Sequence, residues 1–332
     1  MIKSFDDFLG NASAVKGLKS MIASGRVSHA YIFDGAYGMG KKTLAYAFAK
    51  ALQCEKSVEN GCGRCYSCKA LDSSEHPDVF FVDTDKTTIG VDVIRDEIIE
   101  RAKTKPYSSK YKIFILNGAE RLTEQAQNAL LKTIEEPPAY GIFILLVSNY
   151  NKLLVTVLSR CVLIRLNALG REILERELLK TNACDRQMCS LVAECAGGSL
   201  GEALRLCKDE GFFTLREMAA KFFDRVEAAD LMGLYELIDE AIELDKSHDK
   251  GLDSYLSLIY LFYRDLLVFK TCGEEDVIQK DYLGLIEDIC GRLTLKKLIK
   301  GSEAVSEARR EIGMNVNKQL CLEQMLFKIK EK

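Results

Sequence analysis

Apolar residues in the first half of the chain follow two alternating rhythms. Short runs rich in β-branched and aromatic residues, at 31–33, 79–82, 113–116, 142–147 and 162–166, read as buried strands. Between them Leu44, Ala47, Phe48 and Ala51, and again Leu122, Ala126, Ala129, Leu130 and Ile134, recur at three- and four-residue steps, as one face of a helix does. Strands alternating with helices predict an α/β unit built on a parallel, doubly wound sheet.

The rhythm changes after Pro138. The four prolines, Pro77, Pro106, Pro137 and Pro138, all lie before that point, and helical periodicity runs through nearly everything that follows. The second half is therefore expected to be all-helical. Gly197-Gly198-Ser199 breaks it into a short piece near 167–205 and a longer bundle with segments such as 252–269 and 320–329. A chain of 332 residues exceeds one ordinary core of about 100–150, so two or three packed units are expected.

Charge narrows the function classes. The 46 basic and 49 acidic side chains leave a net charge of -3, which argues against a chain that grips nucleic acid alone through a broad basic face. Any DNA contact is expected to be shared with partners. No stretch approaches the roughly 20 apolar residues that span a bilayer, and the amino-terminal segment lacks a basic-then-apolar leader, so a soluble, cytoplasmic protein is expected. In a reducing compartment the 12 cysteines read as free, metal-bound or reactive.

Directly after the run 31–33 comes Gly35-Ala36-Tyr37-Gly38-Met39-Gly40-Lys41, then Lys42-Thr43 opening a helix. This is G-x-x-x-x-G-K in the strand–loop–helix setting of a phosphate loop. Gly35, Gly38 and Gly40 let backbone N–H groups wrap phosphate oxygens, the helix start adds positive potential, and Lys41 reaches toward the β and γ phosphates. Position 42, where Ser or Thr gives its hydroxyl to Mg²⁺, is instead Lys42, whose ammonium repels the metal. Thr43 is one residue on, turned about 100° around the helix. The run 113–116 should lead into acids that hold Mg²⁺ and orient water, yet it is followed by Asn117-Gly118 and then Ala119-Glu120. Two independent lesions point to a site that does not hydrolyse ATP. The active alternative stays open, with Thr43 as metal ligand and Glu120 as base, although Glu120 reads more simply as an exposed acid at a helix start.

Cys54, Cys62, Cys65 and Cys68 form C-x7-C-x2-C-x2-C between the phosphate-loop helix and the run at 79. Four thiolates at this spacing signal zinc, and a site closed by four protein ligands is structural rather than catalytic. The metal would fold an excursion that has little core of its own. The remaining cysteines, Cys161 and Cys207 among them, read as scattered small hydrophobes. His29 and His76 read as lone packing or turn residues, since four cysteines already complete a tetrahedral site.

Ser159-Arg160-Cys161 precedes the last strand run. Spacing alone makes Arg160 a solvated surface residue, whereas an arginine held at a subunit edge stabilises charge on a neighbour's γ-phosphate. The run Asn128-Ala129-Leu130-Leu131-Lys132-Thr133-Ile134-Glu135-Glu136-Pro137-Pro138, followed by Ser159-Arg160-Cys161, resembles the bacterial clamp-loader branch of the AAA+ proteins. So do Phe5-Asp6-Asp7-Phe8-Leu9-Gly10, the lead Ser28-His29-Ala30-Tyr31 and the four-cysteine insertion. The likeness covers residues 1–205 and extends more loosely to the last helices, where Asn317, Leu320, Leu322, Glu323 and Leu326 are similar to the branch's collar. Motor members of the branch keep the acidic pair, a Thr after the loop Lys and an arginine in the lid. Lys42, Asn117, Gly118, and Gly201 within Gly198-Ser199-Leu200-Gly201-Glu202-Ala203-Leu204 depart from all three, so the chain resembles the non-hydrolysing delta-prime family.

The resemblance implies a P-loop AAA+ parallel-sheet domain over 1–166 with a zinc module at 54–68, a small helical lid domain over 167–207 and an all-α collar over 208–332. The collar would hold the chain in a pentameric ring beside a motor subunit of gamma/tau type and a delta subunit. Arg160 would reach in trans into the motor's ATP site. The assembled loader, part of the DNA polymerase III holoenzyme, would open the sliding clamp and place it on primer–template DNA, with no membrane involved. The retained Gly35, Gly38, Gly40 and Lys41 leave ATP binding by this chain open, and an active gamma/tau-like motor remains the alternative. A zinc-dependent DNA-binding module is a third reading; against it, Lys56, Arg64 and Lys69 stand among Glu55, Glu59, Asp72 and Glu75 with no basic stripe. Lys132, Glu135 and Glu136 read as a solvated helix end before a proline stop or, by the resemblance, as part of a subunit boundary.

Overall fold

The computed structural model describes residues 4–56, 60–84, 86–247, 251–314 and 316–331. The five strand runs of the sequence become β1 (Ala30–Asp34), β2 (Val79–Val82), β3 (Lys112–Asn117), β4 (Gly141–Val147) and β5 (Val162–Arg165). They pair in parallel in the order β2-β3-β4-β1-β5. Between them lie α1 (Ala12–Ala23), α2 (Lys41–Gln53), α3 (Tyr66–Asp72), α4 (Val91–Ile94), α5 (Glu100–Ala102), α6 (Glu124–Glu135) and α7 (Val155–Leu158). A π-helical turn, Arg95–Ile99, joins α4 to α5.

Period-two alternation explains the layers. Ala30, Ile32, Phe114, Leu116, Phe143 and Leu145 point to one face of the sheet, against Ala126, Leu130 and Ile134 of α6. Tyr31, Phe33, Ile113, Ile115, Ile144 and Leu146 point to the other, against Leu44, Ala47, Phe48 and Ala51 of α2. Both helix faces named by their spacing are thus the faces that cover the sheet. The carboxyl ends of β1, β3 and β4 carry the phosphate loop, Asn117-Gly118 and Ser148, the edge at which open α/β sheets receive ligands.

Among the described residues no strand follows β5. The later helices are α8 (Arg171–Lys180), α9 (Arg186–Cys195), α10 (Leu200–Leu206), α11 (Glu210–Ala228), α12 (Leu231–Ser247), α13 (Gly251–Cys272), α14 (Leu283–Arg292), α15 (Leu295–Gly313) and α16 (Lys318–Lys330). The chain packs as two compact units. One runs to Gly170 and takes in Gly198–Glu202, and the other comprises Arg171–Gly197 and the chain from Ala203 on. Within the second, α13 lies centrally against α11, α12, α14 and α15, burying Leu256, Ile259, Phe262 and Leu266. Among the described residues no helix is long and apolar enough to cross a membrane.

Candidate functional site

The phosphate loop leaves β1 with Gly38 at φ 74° and Gly40 at φ 83°, a region that favours glycine. Lys41 turns back into its own loop: Nζ donates to the carbonyls of Gly35 and Ala36 and lies 3.5 Å from Oγ of Ser148. Burial lowers the pKa of this ammonium, and the charges of Glu120 and Asp34 oppose the shift. Lys42 takes a different course from the one its position suggested. Its ammonium sits 3.8 Å from the centroid of Phe81 on β2, a cation–π contact, so the site lacks a hydroxyl there rather than facing a repelling charge. Thr43 is exposed on α2.

The acidic pair is missing in substance as well as in sequence. Asn117 donates through Nδ2 to Oδ2 of Asp83 at 3.1 Å. Gly118 has φ 67°, and a Cβ there would lie 2.4 Å from Nε of Arg121. Arg121 is itself fixed, donating through Nη1 to the carbonyls of Thr84 and Lys86 at 2.8 Å each. A carboxylate at 118 therefore has to displace an anchored guanidinium from a left-handed backbone. Gly118→Glu is expected to cost about 1–3 kcal/mol of stability in denaturant unfolding and to confer no ATP turnover. Turnover by that variant would show that the missing base alone silences the site.

Glu120 departs from its expected role as an exposed helix-start acid. It is half-buried in a 3₁₀ turn, its Oε2 is buried with no hydrogen-bond partner, and its charge is felt by Lys41. The segment Gly198–Glu202 closes the other side of the loop. Gly201 N–H donates to the Gly38 carbonyl at 3.4 Å, and Ser199 Oγ would meet a Cβ on Gly38 at 2.2 Å. Gly201, where motor members carry a lid arginine, has Gly38 backbone atoms 3.2 Å from the place of its absent Cβ.

Arg160 follows α7 and is 40% exposed. Its Nη1 donates to the Thr156 carbonyl and to Ser159 Oγ, both at 3.1 Å, and its Nη2 lies 2.9 Å from Oε1 of Glu135 at the end of α6. The structure thus joins the Ser-Arg-Cys motif to the run that ends in Pro137-Pro138. Cys161 packs beneath, and burial pushes its thiol up to about 12.

The sulfurs of Cys54, Cys62, Cys65 and Cys68 all lie within 4.8 Å of one another, a donor set able to hold a metal ion. Backbone N–H groups already point at the sulfurs, from Cys62 to Cys54 at 3.2 Å, Cys65 to Cys62 at 3.3 Å and Cys68 to Cys65 at 3.4 Å. N–H groups of Arg64 and Cys65 pull the Cys62 thiol down to about 6, whereas burial pushes Cys68 up. The module is tied down by Lys50 of α2, which is buried and reaches Oδ1 of Asp72 at 2.6 Å. His76 is a packed turn residue: its Nδ1 accepts from Asp78 N–H at 3.1 Å, and burial lowers its pKa.

Not all the other cysteines are scattered. Cys184 Sγ lies 2.9 Å from that of Cys189 and 3.2 Å from that of Cys207, where the α8–α9 turn, α9 and the end of α10 converge. Periodicity gives no sign of this, because the three come from different elements.

Two family models match the chain, described as DNA polymerase III, delta subunit, over residues 10–170, and DNA polymerase III, delta subunit, C terminal, over 229–331. DNA polymerase III subunit delta-prime of Bacillus subtilis is 28% identical over 320 residues, covering 96% of this chain and 95% of that one. The chain belongs to the DNA polymerase III delta-prime family. DNA polymerase III subunit tau of the same organism is 26% identical over 356 residues, and the match takes in 98% of this chain but 61% of tau. Among solved structures, a gamma subunit-related protein of Thermotoga maritima matches at a TM-score of 0.38 with 20% identity, covering 96% of this chain and 98% of that one. The residues described above give this family member a glycine-rich strand-to-helix loop closed by Lys41, four sulfurs drawn together and an exposed, braced arginine.

Proposed function

We propose that this chain is a clamp-loader subunit of the DNA polymerase III holoenzyme that does not itself hydrolyse ATP and that supplies Arg160 to the ATP site of a neighbouring motor subunit. The observation that carries the first half is Arg121 lying where a base at position 118 would project. Without a carboxylate on β3 or a hydroxyl at 42, the site lacks what binds Mg²⁺ and orients water. The second half rests on Arg160, a planar five-donor group braced at an exposed edge, suited to charge that develops on a γ-phosphate.

In this reading residues 167–207 act as the lid and 208–332 as the collar of a pentameric ring with gamma/tau-type and delta neighbours. Leu320 and Phe327, exposed on α16 while Leu322 and Leu326 are buried, suit a helix with one face kept for such neighbours. Sliding clamp and primer–template DNA are engaged by the assembled ring, in the cytoplasm. Zinc is the ion assigned to Cys54, Cys62, Cys65 and Cys68; borderline-soft and content with four thiolates, it would fold the excursion and leave no position open for water.

The partnerless Oε2 of Glu120 beside Lys41 favours one competitor, a motor that has moved its base. ATP binding and hydrolysis by the purified, zinc-loaded chain with Mg²⁺ decide between them. No turnover is expected, with or without weak binding. Sustained turnover abolished by Lys41→Ala would make the chain a motor.

A further inference from the structure

The role proposed for Arg160 asks only that its guanidinium be exposed, yet the structure holds it from two sides. Glu135 closes α6 just before the Pro137-Pro138 stop, and its carboxylate takes Nη2 of Arg160 at 2.9 Å. Nη1 is fixed independently by the Thr156 carbonyl and Ser159 Oγ at 3.1 Å. Three anchors use only part of a five-donor fork, so the remaining N–H groups stay available to an incoming anion. The carboxyl end of α6 adds to the attraction, because unsatisfied helix carbonyls favour a cation.

We propose that Glu135 is a positioning residue that holds the Arg160 guanidinium in the pose offered to the neighbour's γ-phosphate. The inference rests on the trans role of Arg160 and goes beyond it in assigning a task to the acid at the end of the conspicuous α6 run. A free arginine loses rotamer freedom each time it engages a ligand, whereas one already braced loses little. An exposed ion pair adds little to folding, so the consequence of the pair lies in turnover rather than stability. The amide of Gln keeps an accepting Oε1 at the same reach, so it can brace the guanidinium without the charge.

The test uses the reconstituted clamp loader carrying Glu135→Ala, Glu135→Gln, Arg160→Ala or the Glu135→Ala/Arg160→Ala pair. Ring assembly and single-turnover phosphate release are followed across ATP concentrations. Glu135→Ala is expected to assemble normally and to slow release at the served site about threefold to tenfold, with the ATP dependence shifted by no more than about twofold. Glu135→Gln should keep most of the rate, and Glu135→Ala should add nothing on the Arg160→Ala background. If Glu135→Ala releases phosphate at the wild-type rate while Arg160→Ala is slow, the pair is an incidental surface contact and the positioning role falls. An equal loss in both backgrounds, or loss of assembly, makes Glu135 act elsewhere and overturns it as well. An Arg160→Ala loader that turns over normally overturns the trans role itself, and this inference with it.

Discussion

On the trans role proposed for it, Arg160→Ala is expected to leave the reconstituted clamp loader assembled and to slow phosphate release at a neighbour's ATP site by about 10³-fold or more, the scale of in-trans arginines in related phosphoryl transfer. The side chain makes no core contact that folding needs: its partners are Glu135, the Thr156 carbonyl and Ser159 Oγ, all at the surface. Losing them should cost no more than about 1 kcal/mol of stability. In the proposed ring other ATP sites would mask the loss in steady state, so the effect is read as missing amplitude in a single turnover stimulated by clamp and primed DNA. Arg160→Lys should fail to restore that amplitude, because a compact ammonium lacks the planar fork that spans two oxygens of a phosphoryl group. Full amplitude in Arg160→Ala would remove the residue from the mechanism.

The parts of this site that were legible in the sequence are those in which chemistry and spacing coincide along the chain. Gly35 to Lys41 follow one another, and Cys62, Cys65 and Cys68 sit three residues apart, so the phosphate loop and the thiol cluster announce themselves. The sheet was equally legible, because β1, β3 and β4 are buried on both faces and read as continuous apolar runs. What stayed hidden depends on where side chains turn. Lys42 lies over Phe81, and Arg121 covers Gly118; neither direction can be had from identity at one position. Glu120 reads as a surface acid because an acid opening a helix usually faces water, whereas in the fold its Oε2 is buried and its charge acts on Lys41 from another strand's loop. The glycines at 197 and 198 mark a break, but they do not tell that Gly198–Glu202 packs on the loop after β1, where the Gly201 N–H donates to the Gly38 carbonyl.

Removing the metal is expected to unfold the four-thiol excursion together with α3, up to Asp72, and to spare the sheet. Structural zinc contributes about 10–16 kcal/mol of apparent binding energy in small thiolate sites, far more than an excursion with few apolar contacts can supply from its own packing. Chelation should therefore open this stretch to protease and leave the cleaved product with its strands intact by circular dichroism. The reason the damage stays local is Lys50. The Lys50 side chain is 6% exposed, its ammonium is paired with Asp72 on α3, and Gly61 packs against its methylenes. When the module unfolds, its cover leaves with its partner, so Lys50 returns to water and no unpaired charge remains buried in α2. Asp72→Ala in the metal-loaded chain removes the partner and keeps the cover. Breaking a fully buried pair typically costs about 3–5 kcal/mol; with Asp72 30% exposed the cost here is smaller, but it still leaves the Lys50 side chain covered, so this single substitution should lower the unfolding midpoint of the first unit more than chelation does. Loss of the whole sheet on chelation, or an Asp72→Ala chain as stable as the wild type, would mean that the module and α2 are coupled through contacts other than Lys50.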